Sequence, residues 1–443
     1  MEKGDDDYGM TIKITLAKHA VMKEPLLMPF GFKGAYLSEL WQSITLLSNE
    51  HNQTGIGVGV QSVLWSDASV FEQFGETAGN ELMADMTRYA LKQIEGNQYS
   101  TPFELLEETL PMVYQYGLNT LRLTDLRSTF ALNALVAVDQ AAWALFSRNS
   151  SSSFKELVPK YYQDALGEPQ PALASIPLVP YGMPEEAIDR LLSAGYFLLK
   201  IKVGADPEQD GDLDKMLNWD CQRLSQIHSI ASQYRTAHTA DGKIAYYLDA
   251  NGRYDSPDRL MKLLEHADRI GALPHIILFE EPFSEDQSWD VHHIPVRLAA
   301  DESIHNEADA VNRIEQGYGA LALKPVAKTM SMSLKIAKLA RERNIPCFCA
   351  DLTANPVLAD WNKNLAAYLP LLPELKVGVI ETNGYQNYRE WERMKSWHPL
   401  AGSIWTEATN GLYHLDDQFY RTAGGALDIA EPYESLVRGK HEY

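Results

Sequence analysis

At 443 residues the chain is too long for one small core, so a large domain with a smaller companion is expected. A formal net charge of -21, with no local basic cluster, excludes a phosphate-tracking surface and therefore nucleic acid as a partner. No apolar run approaches the roughly 18 residues a membrane span needs, and the N-terminal MEKGDDDYGM is acidic where a secretory leader is basic. Three cysteines (Cys221, Cys347, Cys349) are too few for a disulfide framework, so the expected setting is reduced and cytoplasmic, with no membrane association.

In chain order, TIKITLA, ELWQSITLLS and GIGVGVQSVLW read as the first strands, the first two as neighbours in a meander. Helical patterns follow near residues 70–95, 102–118 and 130–147. The last, ALNALVAVDQAAWALFS, is apolar around nearly its whole circumference, which predicts a helix buried between layers. The polar break SRNSSSSF at 147–154 marks a domain boundary, giving an N-terminal α+β domain over 1–150.

Beyond it the grammar changes. IPLVPYG, YFLLKIKVG, IAYYLDANG, HIILFEEPF, VRLAADES, GALALKPV, IPCFCADL and KVGVIETNG recur as apolar runs separated by helical segments. Successive βα units of this kind predict an α/β fold with a parallel sheet, and eight of them close a (β/α)8 barrel of about 250 residues. That places the barrel in 151–400, with 401–443 a mixed segment packing on the cap or the barrel.

Strands covered on both faces should be apolar throughout. Seven of the eight break this near their C-terminal ends: Lys200 and Lys202, Asp249 and Asn251, Glu280 and Glu281, Asp301 and Glu302, Lys324, Asp351, Glu381 and Asn383. The C-terminal rim is where barrel enzymes carry their active sites. Asp249, Glu280 and Asp301, from the third to fifth strands, repel one another unless protons or a cation intervene, and hard oxygen donors suit Mg²⁺ or Mn²⁺. Lys202 and Lys324 lie on opposite sides of this triad. A divalent ion between two lysines stabilises the oxyanion formed when a carbon acid beside a carboxylate loses its proton.

Taken singly these motifs are weak. A Lys-x-Lys pair often guards a strand edge, Asp-x-Asn often makes a turn, and Glu-Glu-Pro alone says little. Their order and spacing together carry the weight. Cys347 and Cys349 read as small buried residues, and Asp351 either contacts substrate or, the preferred reading, caps the following helix.

As a set, Lys-Ile-Lys at 200–202, Asp-Ala-Asn at 249–251, Glu-Glu-Pro at 280–282, Asp-Glu-Ser at 301–303 and Lys-Pro at 324–325 resemble the enolase superfamily, muconate-lactonizing-enzyme subgroup. MPFGFKGAY and GIGVGVQ are similar to that family's N-terminal capping domain, and VAVDQAAWAL to the last helix of that domain. The resemblance implies Asp249, Glu280 and Asp301 as metal ligands, Lys202 and Lys324 as acid/base residues, and Lys200 as an electrostatic partner. Sites of this superfamily pair a Lys or His base with Mg²⁺. It also implies that the segment 19–32, with Phe30, folds over the barrel mouth, and that Asn251, Glu381 and Asn383 meet substrate.

Two departures stand out. Dipeptide epimerases of the subgroup carry Asp-x-Asp on the eighth strand to hold a substrate ammonium, whereas here the match is Glu381-Thr-Asn383. No His–Asp dyad of the mandelate racemase kind is present, since His305 lies just past the fifth strand.

The expected activity is Mg²⁺-dependent abstraction of the proton α to the carboxylate of a small-molecule substrate, giving racemisation or epimerisation of an amino acid derivative or dipeptide-like acid. β-Elimination, as in o-succinylbenzoate synthase or an acid-sugar dehydratase, and cycloisomerisation use the same residues. From other classes come a retaining glycosidase, which needs two carboxyl groups about 5 Å apart and no metal, and a non-catalytic binding barrel. The resemblance further implies a homo-oligomer.

Overall fold

The computed structural model describes residues 11–32, 35–149 and 153–439; residues 150–152, inside the expected boundary, lie outside them. The three N-terminal apolar runs form strands Ile12–Phe32, Ala35–Asn49 and Thr54–Gln61. They make an antiparallel meander, with Gln98–Tyr99 added beyond the first strand. The first two are longer than the sequence pattern suggests and build one extended hairpin. Its register jumps between Pro25–Glu39 and Phe30–Leu37, so extra residues bulge out on the first strand.

Helices Ala68–Ile94, Pro102–Leu121 and Ser128–Ser147 complete this cap. By length and composition the last is apolar enough to cross a membrane, which corrects the expectation that no run comes near that limit. Its most apolar window is 94% buried inside the protein, as befits a core helix. The alternating glycines of GIGVGV explain how it fits. A Cβ on Gly55 would stand 2.2 Å from the Ala141 carbonyl oxygen, and one on Gly57 2.0 Å from that of Ala137. The strand and helix therefore meet backbone to backbone.

The eight expected barrel strands all form: Ala172–Ile176 continuing as Leu178–Val179, then Leu198–Lys202, Ala245–Asp249, Ile276–Glu280, Leu298–Ala300, Ala320–Leu323, Cys347–Cys349 and Gly378–Glu381. Each pairs in parallel with the next. Pro177 splits the first strand. Its lower half pairs with the eighth strand and its upper half with the second, which closes the barrel at the C-terminal rim. At the other end Leu412–His414 runs antiparallel to Ala172–Ala174. Further on, Tyr433 and Val437 of helix Glu431–Val437 pack on Ile44, Leu46, Ile56 and Val58 of the cap sheet. The loop RTAHTADGK docks at the N-terminal end of the barrel, where Ala240 N–H donates to the Glu374 carbonyl at 2.9 Å.

A buried carboxylate is one of the groups that join cap to barrel. Asp139, on the core helix, accepts from Met330 N–H at 2.9 Å and from the Ser331 hydroxyl at 2.5 Å, at the start of barrel helix Met330–Glu342. These free N–H groups of the helix's first turn have no partner within the helix, so the carboxylate satisfies them.

Candidate active site

Strand register assembles the polar rim. Lys202 pairs with Asp249, Asp249 with Glu280, and Glu280 with Ala299, two residues before Asp301. Parallel pairing thus carries the polar residues around one end of the barrel at nearly constant height. Lys200, Lys202, Asp249, Asn251, Glu280, Asp301, Lys324, Asp351, Glu381 and Asn383 all line one cavity. The cap closes it with Leu26, Leu37, Leu40, Ser62 and Trp65. Phe30 pairs with Leu37 through its backbone, and its side chain lies outside the described structure.

The buried lysines share out the carboxylates. Lys200 Nζ lies 3.0 Å from Asp249 Oδ2, 2.8 Å from Glu280 Oε2 and 3.0 Å from Glu381 Oε2. Lys202 Nζ is 2.7 Å from Asp249 Oδ2 and donates to Asn251 Oδ1 at 2.5 Å. Asn251 in turn donates from Nδ2 to Glu302 at 2.9 Å. Across the mouth, Lys324 is paired with Asp301 Oδ2 and sits 4.5 Å from the centre of the Trp65 ring. Tyr247 donates its hydroxyl to Glu280 Oε2.

These contacts set the protonation states. Burial alone would raise the Asp249 carboxyl, but Lys200 and Lys202 outweigh it and hold it at about 2. Burial pushes Glu280 up to about 8; Lys200 pulls it down, while Asp301 and Glu381 add to the rise. For Lys324, burial favours the neutral amine, yet Asp301 and Glu280 together keep the ammonium above its ordinary value. Lys200 is raised in the same way by Asp249, Glu280 and Glu381 against its burial.

Glu281, Asp351 and Glu381 brace the rim, the last two while also lining the cavity. Glu281 accepts from Asp301 N–H at 2.7 Å and from the Ser303 hydroxyl at 3.0 Å, holding the end of the fifth strand from behind. Asp351 accepts from Ala354 N–H at 3.0 Å and Asn383 N–H at 2.8 Å, tying the seventh loop to the eighth. The cap of helix Pro356–Ala366 is Asn355, four residues along, and not Asp351. Glu381 Oε2, besides Lys200, accepts from Asp351 N–H at 3.1 Å. His305 lies between Glu285 and Asp309 and lines no part of the cavity.

Sequence reasoning passed over Lys328 and Trp65. Lys328 is buried on the short helical turn Pro325–Lys328, with Nζ 3.1 Å from Asp301 Oδ1. Its spacing of four from Lys324 was the available signal, because such residues share a helix face. Trp65 follows a strand that ends at Gln61 and turns into the helical turn Val63–Ser66, which brings its ring to the lysines. The apolar run GIGVGVQSVLW hid that change of direction.

The donor set fits a hard divalent cation. Glu280, Asp301 and Glu302 each offer a carboxylate oxygen within 4.8 Å of the others, and Glu280 Oε1 is buried with no hydrogen-bond partner. Asp249 joins Glu280 through their shared Lys200 contact.

Residues 183–392 match the family model described as enolase C-terminal domain-like. Similar solved structures cover most of the chain at low identity. A mandelate racemase/muconate lactonizing protein from Herpetosiphon aurantiacus superposes with a TM-score of 0.64 at 15% identity, covering 91% of this chain and 96% of that one. A dipeptide epimerase from Enterococcus faecalis V583, complexed with Mg and L-Leu-L-Tyr, gives 0.61 at 17% identity, covering 91% and 97%. An N-succinyl Arg/Lys racemase from Bacillus cereus ATCC 14579 gives 0.62 at 15% identity, covering 91% and 93%. No curated protein matches the chain in sequence. Residues 183–392 are thus enolase C-terminal domain-like, and the chain as a whole shares the fold of these solved structures.

Proposed function

We propose that this protein is a divalent-metal-dependent racemase or epimerase that moves the proton on the carbon next to a substrate carboxylate. The observation that supports this reading is that Lys202 and Lys324 line one cavity and come from strands that flank, in sheet order, those bearing Asp249, Glu280 and Asp301. A bound Mg²⁺ or Mn²⁺ would be held by those three carboxylates and would lower the cost of negative charge on the substrate carboxylate. Lys202 Nζ removes the α-proton from one face, and Lys324 Nζ delivers a proton to the other. Lys200, fixed among Asp249, Glu280 and Glu381, keeps a positive charge beside the reacting carboxylate. The leucines of the cap keep water from the reacting carbon.

The eighth strand bears on the substrate. Glu381 Oε2 is engaged by Lys200 and the Asp351 N–H, and Asn383 is uncharged. That supports an amino acid derivative whose nitrogen is capped, in place of a dipeptide with a free ammonium. Three unpaired cysteines support a cytoplasmic setting.

Incubation in D₂O with Mg²⁺ and pooled N-acyl amino acids, dipeptides and acid sugars tests the proposal. Gain of one mass unit without loss of water is the expected result. Loss of water would move the assignment to elimination, and no exchange on any substrate would sink it.

A further inference from the structure

We propose that Lys328 limits how tightly the carboxylate site binds a divalent cation, by acting as an internal counter-ion of Asp301. This rests on the reading of Asp301 as a metal ligand. Both oxygens of Asp301 are already committed to ammonium groups. Lys324 holds Oδ2, and Lys328 Nζ lies 3.1 Å from Oδ1 while donating to the Asp301 carbonyl at 2.5 Å. The two lysines differ in freedom. Lys324 lines the cavity, where substrate and ion can reach it, and Lys328 does not. The Lys328 side chain is only 1% exposed, and its other cation-binding neighbour is the Trp65 ring at 5.8 Å.

The turn that carries Lys328 is fixed at its C-terminal end. Thr329 follows it with φ of 72°, a left-handed conformation that a β-branched residue holds only under constraint. The constraint is visible: Thr329 Oγ1 accepts from Met332 N–H at 3.2 Å, and Asp139 of the cap accepts from Met330 N–H at 2.9 Å. Lys328 therefore cannot swing aside when a cation arrives at Asp301. An incoming divalent ion meets a like charge in a buried setting, where screening is weak. The same ammonium keeps the acidic rim assembled when no ion is bound, since it offsets repulsion among Glu280, Asp301 and Glu302.

Mn²⁺ titration, with free Mn²⁺ read by electron paramagnetic resonance, tests this on the wild type and on Lys328→Gln, Lys328→Met and Lys328→Arg. Removal of the charge in the Gln and Met variants is expected to tighten Mn²⁺ binding about tenfold or more. The Arg variant, which retains the charge, should stay within about threefold of wild type. Unchanged or weaker binding in both neutral variants would overturn the proposal, as would equal tightening in the Arg variant. A Met variant that fails to fold even with Mn²⁺ would overturn it too, because Lys324 still neutralises Asp301 and the ion restores the lost charge. α-Proton exchange on the same samples separates the two readings. A wild type that binds Mn²⁺ but exchanges no substrate refutes the proposed reaction alone, whereas no Mn²⁺ binding by any of the four proteins refutes both.

Discussion

Lys202 Nζ and Asp249 Oδ2 stand 2.7 Å apart on neighbouring strands, so the proposed base and a proposed metal ligand share one ion pair. With a divalent ion held by Asp249 and Asp301, Lys202 and Lys324 would each be free to face the substrate. Each lysine then serves one face of the reacting carbon. Lys202→Ala and Lys324→Ala are each expected to lower racemisation by at least about a hundredfold. α-Deuterium exchange measured on separate enantiomers should show each variant losing exchange mainly with one of them. Equal loss with both enantiomers in both variants would contradict the two-face arrangement.

Two sets of carboxylates compete for the role of metal cage. Glu280, Asp301 and Glu302 approach one another most closely, whereas Asp249 faces the lysines. Glu302 Oε2 is buried without a hydrogen-bond partner and both Asp249 oxygens are engaged, which supports the first set. Asp249 lines the cavity with Glu280 and Asp301 and Glu302 does not, which supports the Asp249 set. With the Asp249 set, Asp249→Asn should weaken Mn²⁺ binding by about a hundredfold or more, and Glu302→Gln by less than about threefold. Calorimetric titration of the two variants distinguishes the cages.

The rim was legible in the sequence because charged residues at the ends of apolar runs violate the rule for doubly covered strands. Lys328 and Trp65 escaped because neither breaks a local pattern: one ends a four-residue helical turn and the other ends an apolar run. Strand Leu412–His414 escaped for another reason. Three residues carry no period, and their pairing with Ala172–Ala174 spans more than two hundred residues of chain. Asp351 was read through its neighbours in sequence, whereas its partner Asn383 lies on the next strand loop.

The glycines of the third cap strand give a stability prediction. A methyl group at Gly57 would meet the Ala137 carbonyl oxygen at 2.0 Å and the Ala141 nitrogen at 2.4 Å, both backbone atoms of a buried helix. Neither can rotate away. Gly57→Ala should cost roughly 2–4 kcal/mol, read as a lowered urea midpoint. Gly402 has open space around it, but its φ of 83° makes it an unsuitable control. Gly182, with open space and no left-handed backbone, should tolerate Ala with little change.

Asp139 gives a pH prediction. Burial raises its carboxyl to about 7 against the pull of the Ser331 and Met330 hydrogen bonds. An acid raised on folding favours the folded state while it holds its proton, so its contribution is present below the unfolded value of 3.8 and is lost as pH climbs through about 7. In Asp139→Asn that component of the slope disappears. The stability difference, variant minus wild type, should therefore move in favour of the variant by a few kcal/mol at most, roughly, between pH 4 and pH 7.5. Urea unfolding at both pH values measures it, and a constant difference would show that Asp139 is ionised throughout.

Asn383 carries the sharpest test of substrate class. Its Oδ1 is buried without a hydrogen-bond partner, and its backbone N–H is committed to Asp351, which fixes the residue at the cavity wall. A neutral group there can meet a substrate amide but offers no charge to an ammonium. Glu381, two residues back, is already spent on Lys200 and the Asp351 N–H. Asn383→Asp restores a carboxylate whose charge is not matched by any lysine in contact with Asn383. Charge-assisted hydrogen bonds are about twice as strong as neutral ones. The variant should therefore bind dipeptides with a free ammonium at least about tenfold more tightly than wild type, and N-acyl amino acids less tightly. Competition between the two ligand classes, followed by α-proton exchange, reads both changes at once. Tight binding of free-ammonium dipeptides by the wild type would mean that Glu381 leaves Lys200 on substrate binding, and the capped-nitrogen reading would fall.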